Sequence, residues 1–158
     1  MKHLPKHLQP RWRYLAVGVE TWPDATIDRS AVQQAVWESA RSLVGDAGSA
    51  RLDLTVLSAD VSAGVGGFVL RTYRGEVDRA RAVVAAVTEI EGHPVGLRVR
   101  GTSGTVRACE EKYMRQRRER TDQRDVVFRD DERSASVRGA RLDVRTGDPF
   151  AGATTLDV

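Results

Sequence analysis

Apolar side chains occupy every second position in four segments of the chain, which is the spacing of β-strands with one buried face. These predicted strands are residues 11–20, 51–60, 68–73 and 95–100. Two intervening segments, residues 28–44 and 76–91, instead repeat apolar side chains at helical spacing. The predicted order β-α-β-β-α-β is typical of a ferredoxin-like sandwich, an α+β fold in which both helices cover one face of a four-stranded antiparallel sheet.

A third helix is predicted directly after the last strand. Residues 101–105 (GTSGT) form a glycine-rich turn in which Ser103 or Thr105 can cap the helix N-terminus. Cys109 and Tyr113 lie on the apolar side of this helix, and its second half is almost entirely charged. Because backbone N–H groups at a helix start attract anions, this segment with its neighbouring arginines is a candidate anion site.

The sheet face away from the two crossover helices combines aromatic, basic and small side chains. It carries Tyr14, Ala16, Gly18, Arg71, Tyr73, Arg98 and Arg100. Such a face can bind RNA by base stacking and phosphate contacts. The small residues Ala16 and Gly18 would equally let the third helix approach closely and cover the face, and the sequence leaves both possibilities open.

The character of the sequence changes after residue 119. Residues 120–158 are rich in Asp, Arg, Gly, Ser and Thr and contain few large apolar side chains. This composition predicts a largely irregular, mobile C-terminal extension attached to a folded domain of residues 1–119.

Charge and cysteine content narrow the class of protein. The formal net charge is +3, and the positive excess lies within residues 61–119, where 11 basic side chains outnumber 7 acidic ones. Cys109 is the only cysteine, so no intrachain disulfide can form and a reducing compartment is predicted. No segment has the length or hydropathy of a signal peptide or a membrane span, so we predict a cytoplasmic protein with no membrane partner.

No catalytic or metal-binding motif is recognisable in the sequence. His3, His7 and His93 have no cysteine or carboxylate partners at ligand spacing, and residues 64–67 (GVGG) fit a hairpin loop better than a phosphate-binding loop. Acylphosphatases share the predicted topology but use a catalytic asparagine, and this chain contains no asparagine. We therefore predict no catalytic residue and no metal ion or cofactor bound by the protein itself.

Three stretches of the chain, taken together, resemble the ribonuclease P protein component 2 family, the archaeal and eukaryotic family also called Pop-five. They are residues 1–20 (MKHLPKHLQPRWRYLAVGVE), residues 68–91 with the helix end AVTEIEG, and residues 95–113 with the sequence GTSGTVRACEEKY. The resemblance covers roughly residues 1–118, and the extension after residue 119 lies outside it.

This resemblance implies a protein subunit of a ribozyme. In ribonuclease P, the RNA subunit with bound Mg²⁺ hydrolyses the phosphodiester bond that releases the 5′ leader of precursor tRNA. The implied partners are therefore ribonuclease P RNA, precursor tRNA and ribonuclease P protein component 3, with self-association inside a heterotetramer as a further possibility. The protein alone is then non-catalytic, and residues 1–119 form an RNA-binding domain.

The predicted RNA contacts fall into two groups. The first comprises cations and the helix start near the last strand: Arg98, Arg100, Ser103, Thr105, Arg107, Lys112, Arg115, Arg117 and Arg118. The second comprises Lys6, Arg11, Arg13 and Arg71. Trp37, at the rim of the predicted core, is the candidate contact to component 3.

Two other classes of function fit the same topology. A generic single-stranded RNA-binding module would use Tyr14 and Tyr73 for base stacking. An acylphosphatase-like or ligand-sensing domain would bind a small molecule and ignore RNA.

Overall fold

The computed structural model describes residues 3–115, 121–147 and 150–158, which form an α+β protein with antiparallel sheets, as the sequence predicted. The first part of the chain contains β1 (Trp12–Glu20), α1 (Arg29–Leu52), β2 (Thr55–Ser62), β3 (Val65–Tyr73), α2 (Val77–Ala85), β4 (Glu89–Ile90), β5 (His93–Pro94), β6 (Gly96–Ser103) and α3 (Val106–Cys109), which a π-helical turn (Glu110–Met114) extends. The second part contains β7 (Asp122–Phe128), β8 (Asp131–Arg138), β9 (Arg141–Arg145) and β10 (Phe150–Thr154).

The first sheet has the strand order β2-β3-β1-β6, and all neighbouring strands are antiparallel. Its central strands, β1 and β3, pair with Leu15 opposite Leu70. One face of the sheet packs against α1 and α2. That core is built from aliphatic side chains and one phenylalanine: Leu15, Val17, Val19, Val32, Val36, Leu54, Val56, Phe68, Leu70, Val83, Val84 and Ile90.

Helix α1 is longer than predicted. Asp28 caps its start, because the Asp28 Oδ1 accepts a hydrogen bond from the Ala31 backbone N–H at 2.8 Å, which also lowers the pKa of the Asp28 carboxyl. Gly45, predicted to end the helix, adopts a left-handed φ of 71° and only interrupts it. The helix resumes because Leu52 lies almost fully buried at its end, so residues 46–50 are helical and β2 starts four residues later than expected.

The second crossover helix is shorter than predicted. Helix α2 ends at Ala85, and the strands β4 and β5 form a two-residue hairpin whose turn residues, Glu91 and Gly92, have φ values of 50° and 77°. Paired left-handed residues suit the twist of such a hairpin. Ile90 falls within the predicted helix of residues 76–91, and it is buried in the same core from the hairpin instead.

The prediction of a largely irregular C-terminal extension is wrong. Strands β7–β10 form a second antiparallel sheet in the order β10-β9-β8-β7. A small core supports it, made of Phe128, Ala135, Val137, Leu142 and Val144. The sequence did not reveal this sheet because the core has only five buried apolar side chains among the described residues, and because charged residues line the β7–β8 connection, where Arg129 and Asp130 adopt left-handed φ values.

A buried arginine joins the second sheet to the first part of the chain. The Arg138 side chain is only 3% exposed, and its guanidinium pairs with Asp143 inside the second sheet. The same group donates hydrogen bonds to the carbonyl oxygens of Thr21, at the end of β1, and Gly64, in the β2–β3 turn. One charged group thus satisfies acceptors from three separate segments.

Contacts around this arginine extend the joint between the two parts. The Arg145 guanidinium lies 4.3 Å from the centre of the Trp22 ring and 2.8 Å from the Asp24 carboxylate. Phe150 meets the same indole edge-on, with ring centroids 5.9 Å apart. Aromatic packing and cation–π attraction therefore hold the second sheet in one orientation.

We predict that Arg138→Met destabilises the protein by about 3–5 kcal/mol, because the Asp143 carboxylate and the buried Thr21 carbonyl oxygen lose their partner, while the Gly64 carbonyl oxygen keeps only the Thr21 N–H. Urea unfolding followed by circular dichroism measures the change. Arg133→Gln is the control: it removes an ion pair to a largely exposed Asp131 and should cost about 1 kcal/mol or less. Equal losses for both variants would contradict the joint's role.

Candidate RNA interface

The short helix α3 and its π-helical turn cover the middle of the sheet face opposite α1 and α2. Ala16, Val69 and Cys109 are buried there, with Tyr113 and Met114 packed around them. A Cβ atom on Gly101 would lie 2.2 Å from the Tyr113 ring, so glycine is required where the tyrosine crosses β6. The sequence left open whether this face is exposed or covered by the third helix, and in the structure it is covered.

Tyr14 and Tyr73, the candidate base-stacking residues, are both engaged within the protein. Tyr14 packs against the buried cluster beneath α3. The Tyr73 ring stacks on Trp12, with ring centroids 4.3 Å apart and an interplanar angle of 16°. The open aromatic sheet needed by a generic single-stranded RNA module is therefore not present in the described part of the chain.

Trp12 is the central residue of an aromatic-cationic group at the edge of this cover, and it was not among the predicted site residues. The Arg71 guanidinium lies 4.0 Å from the centre of the Trp12 ring, donates to Thr55 Oγ1 at 3.2 Å, and approaches the Asp53 carboxylate at 3.9 Å. Trp12 precedes Tyr14 by two residues and so shares its sheet face, a signal that strand alternation contains. The group fixes Arg71 in place while leaving part of its side chain exposed.

Arg98 and Arg100 lie on the same face near the opposite end of β6. Arg98 is exposed, pairs across from Gly18, and has no ion-pair partner within the described residues. Arg100 sits at a β-bulge and is half-buried, with its guanidinium against Gly18 and its Nη2 donating to the Gly66 carbonyl oxygen at 3.4 Å. Arg98 is the more available of the two for an external phosphate.

Thr105, and not Ser103, caps the third helix. Its Oγ1 accepts a hydrogen bond from the Ala108 N–H at 3.2 Å, whereas Ser103 is the last residue of β6 and lies opposite Tyr14. Helix α3 itself has only four residues, so its macrodipole is small. Attraction for anions at this point must come mainly from side-chain cations.

The remaining predicted cations are dispersed around the cover. Arg107 pairs with Glu111 at 2.9 Å on the solvent side of α3, and Lys112 Nζ lies 5.2 Å from the centre of the Tyr113 ring. Arg115 is exposed at the end of the π-helical turn. Arg117 and Arg118 lie outside the described residues.

The N-terminal cations do not form one surface. Lys6 and Arg11 are exposed in the segment before and at the entry to β1. Arg13 alternates to the helix side of the sheet, because it pairs with Thr72, whose hydroxyl donates to Leu52 beneath α1. The structure therefore groups Arg71, Arg98 and Arg100 on one sheet face and leaves Arg13 on the other.

Trp37 lies on the solvent side of α1. Its side chain is 45% exposed, and its Nε1 donates to the Leu54 carbonyl oxygen at 2.9 Å. Arg41 and Asp53 join it around a shallow cavity of about 320 Å³. An exposed, hydrogen-bonded indole is a suitable protein contact, and the assignment of Trp37 to a partner stays a prediction.

The buried thiol of Cys109 is not available as a nucleophile. Its Sγ lies 3.6 Å from the Tyr14 carbonyl oxygen, and burial raises its pKa to about 11. Within residues 3–115, 121–147 and 150–158, histidine, cysteine and carboxylate side chains form no group of three suited to a metal ion. None of the helices in these ranges is both long enough and apolar enough to cross a bilayer.

These features define a class of protein: an α+β scaffold in which Arg71, Arg98 and Arg100 lie on a sheet face that a short helix caps. The model of the Rpp14/Pop5 family matches residues 13–114, and the chain belongs to this family. The resemblance noted in the sequence is thereby confirmed. The second sheet lies outside the matched residues.

Individual relatives match over different lengths. A Natronomonas pharaonis protein named ribonuclease P protein component 2 is 56% identical over 158 residues, covering 100% of this chain and 98% of that protein. A Halorubrum lacusprofundi protein of the same name is 55% identical, covering 99% of each. A third, from Thermococcus kodakarensis, is 31% identical over 113 residues, covering 72% of this chain and 91% of that protein.

Among solved structures, a chain in the cryo-EM structure of yeast ribonuclease MRP has a TM-score of 0.47 at 12% identity, covering 61% of this chain and 76% of that chain. The Natronomonas pharaonis and Halorubrum lacusprofundi proteins also match the C-terminal extension, so this extension is shared with them.

We predict that Gly101→Ala destabilises the protein by about 1–3 kcal/mol, because the new Cβ collides with the Tyr113 ring and lifts the π-helical turn from the sheet. Chemical unfolding measures the loss. Gly152→Ala in β10 is the matched control, since nothing lies within 4 Å of its Cβ position. If Gly101→Ala were as mild as the control, the tyrosine would not cover this face.

We also predict that iodoacetamide labels Cys109 very slowly in the folded protein. At a pKa of about 11, roughly one thiol in a thousand is ionised at pH 8, and the sulfur is fully buried. Mass spectrometry should show rapid labelling once urea unfolds the chain. Equal labelling rates in the folded and unfolded protein would show that Cys109 is accessible.

Proposed function

We propose that this chain acts as a protein subunit of ribonuclease P and assists the RNA subunit in endonucleolytic removal of the 5′ leader from precursor tRNA. The observation that carries the proposal is the match, along nearly the whole length of both chains, to proteins named ribonuclease P protein component 2. The enzyme is then the ribonucleoprotein. Mg²⁺ would be held by the RNA subunit, and the protein would contribute charge and shape.

The strand order supports a ferredoxin-like scaffold for this role. Strands β1 and β3 lie at the centre of the first sheet, α1 follows β1 and α2 follows β3, which is the connectivity of the split β-α-β arrangement. Such a scaffold presents one sheet face, and in this chain α3 caps that face and leaves cations at its edges.

Phosphate contact around the capped face is the proposed mode of RNA binding. Arg98, Arg100 and Arg71 are the central contacts because they share this side of the sheet. The other proposed contacts there are Lys6, Arg11, Ser103, Thr105, Arg107, Lys112, Arg115, Arg117 and Arg118. Arg13 stays a proposed contact, although it lies on the helix side of the sheet. Phosphate contacts position a protein on RNA without reading its sequence, which suits a subunit that must hold one folded RNA.

The proposed setting is the cytoplasm, with ribonuclease P RNA and precursor tRNA as nucleic-acid partners. Component 3 is the proposed protein partner and Trp37 its proposed contact, supported by the exposure of this indole on α1. Self-association within a heterotetramer is part of the same proposal.

Reconstitution of precursor tRNA cleavage tests the function directly. Ribonuclease P RNA and component 3 are assayed at limiting Mg²⁺ with and without this protein, and product is resolved by gel electrophoresis. We expect the protein to raise the cleavage rate and to have no nuclease activity by itself. Cleavage unaffected by the protein would overturn the proposal.

We predict that Arg98→Gln combined with Arg100→Gln flattens the dependence of RNA affinity on salt. Each phosphate contact contributes about 0.7–0.9 to the slope of log affinity against log salt concentration, so two lost contacts reduce it by up to about 1.8. Arg79→Gln with Arg81→Gln on α2 changes the net charge equally on the other side of the sheet. An unchanged slope for the β6 variant, or an equal change in both, would remove β6 from the interface.

A further inference from the structure

A groove on the helix side of the first sheet has a charge opposite to that of the protein as a whole. It has a volume of about 570 Å³ and lies between α1 and the segment that joins α2 to β5. Three carboxylates, Glu38, Glu89 and Glu91, line it, and no lysine or arginine is among its lining residues. The chain as a whole carries a net charge of +3, so this groove is a local exception.

None of the three carboxylates has an ion-pair partner among the described residues. Glu38 accepts a hydrogen bond only from the Gln34 side chain, at 3.0 Å, and Glu89 and Glu91 are exposed on the β4–β5 hairpin. Like charges held around one groove repel each other, and a cationic ligand would relieve that repulsion. The groove therefore favours a positively charged occupant.

Apolar surface in the same groove limits what that occupant can be. Leu43 is 52% exposed at one end, and Ala35, Ala86 and Val87 contribute to the lining. A simple cation would use only the carboxylates, and RNA would be repelled by them. A polypeptide with both cationic and aliphatic side chains would use the carboxylates and the apolar surface together.

We propose that this groove is a docking site for a basic, partly aliphatic segment of another protein. RNA-binding proteins commonly carry such segments, because lysine and arginine supply their phosphate contacts. The site lies on the side of the sheet opposite Arg71, Arg98 and Arg100, so a protein docked there leaves the capped face open to RNA. This inference does not depend on the reaction in which the chain takes part.

The test uses the full chain and a fluorescein-labelled peptide of twelve residues built from repeated Lys-Ala-Leu-Lys units, with a Glu-Ala-Leu-Glu peptide as its acidic counterpart. Fluorescence anisotropy measures affinity, and NMR amide shifts of the labelled protein locate the peptide. We expect binding of the basic peptide alone, with shifts concentrated in residues 34–43 and 86–92.

A charge-matched pair of variants separates the groove from the general field of the protein. The combination of Glu38→Gln, Glu89→Gln and Glu91→Gln should weaken peptide binding about tenfold, from three lost surface charge contacts. The control combines Asp125→Asn, Asp130→Asn and Glu132→Gln, which removes the same charge from exposed positions on the second sheet. Its affinity for the peptide should change less than about twofold.

Leu43→Ser tests the apolar part of the site without changing charge, and it should also lower the affinity for the basic peptide severalfold. Thermal unfolding of each variant shows whether the fold is retained. Equal losses in the two triple variants, or shifts that map elsewhere, would overturn the proposal.

Two further measurements decide the identity of the occupant. Sedimentation velocity of the chain alone should give the same oligomeric state for the wild type and the groove variant. Self-association of the wild type that the groove variant loses would instead make a second copy the occupant. RNA affinity should respond equally to the groove and control variants, and a larger effect of the groove variant would place it in the RNA site. Failure of reconstituted cleavage would leave these results standing, so the two proposals can fail separately.

Discussion

Both faces of the first sheet carry apolar side chains that must be buried, and the two crossover helices can cover only one face. The second face is closed by nine residues, the four of α3 and the five of the π-helical turn. So short a cover can work only because β1 and β6 carry Ala16 and Gly101 where Cys109 and Tyr113 come to rest. Larger side chains at those positions would lift the cover and expose the sheet. The close packing of small residues against large ones therefore sets the positions of the nearby cations. Arg98, Arg100 and Arg71 lie on the part of this face that α3 and the π-helical turn do not cover.

Strand alternation and helical spacing were enough to predict the β-α-β-β-α-β order, because the apolar residues that set both periods are the ones buried in the core. The same signal misplaced the ends of both crossover helices. Leu52 and Ile90 are buried whether they lie on a helix, in a turn or on a strand, so burial alone does not distinguish these cases. The choice is made by backbone conformation, at Gly45 and in the hairpin turn at Glu91 and Gly92, which periodicity does not report.

For the candidate site, the sequence identified the types of side chain but not their partners. Arg98 and Arg100 were placed on one face by alternation, yet the β-bulge that turns Arg100 across Gly18 depends on how β1 and β6 pair. Trp12 was missed although its spacing from Tyr14 was informative. The second sheet was missed for a different reason: its attachment depends on Arg138, one arginine among many in the sequence, and only its burial against Thr21 and Gly64 reveals its structural role.

The distribution of charge between the two sides of the first sheet has a consequence for assembly. An RNA-binding subunit in a ribonucleoprotein must hold RNA on one surface while leaving another for protein. Uniform positive charge would let RNA compete for every surface, and binding would then be poorly oriented. Cations around the capped face attract phosphate, whereas Glu38, Glu89 and Glu91 on the helix side repel it. In the proposed mode of binding, the two crossover helices therefore contribute more than a core: the acidic groove lies on the opposite side of the first sheet from Arg71, Arg98 and Arg100, so charge would help to orient the subunit before close contact forms.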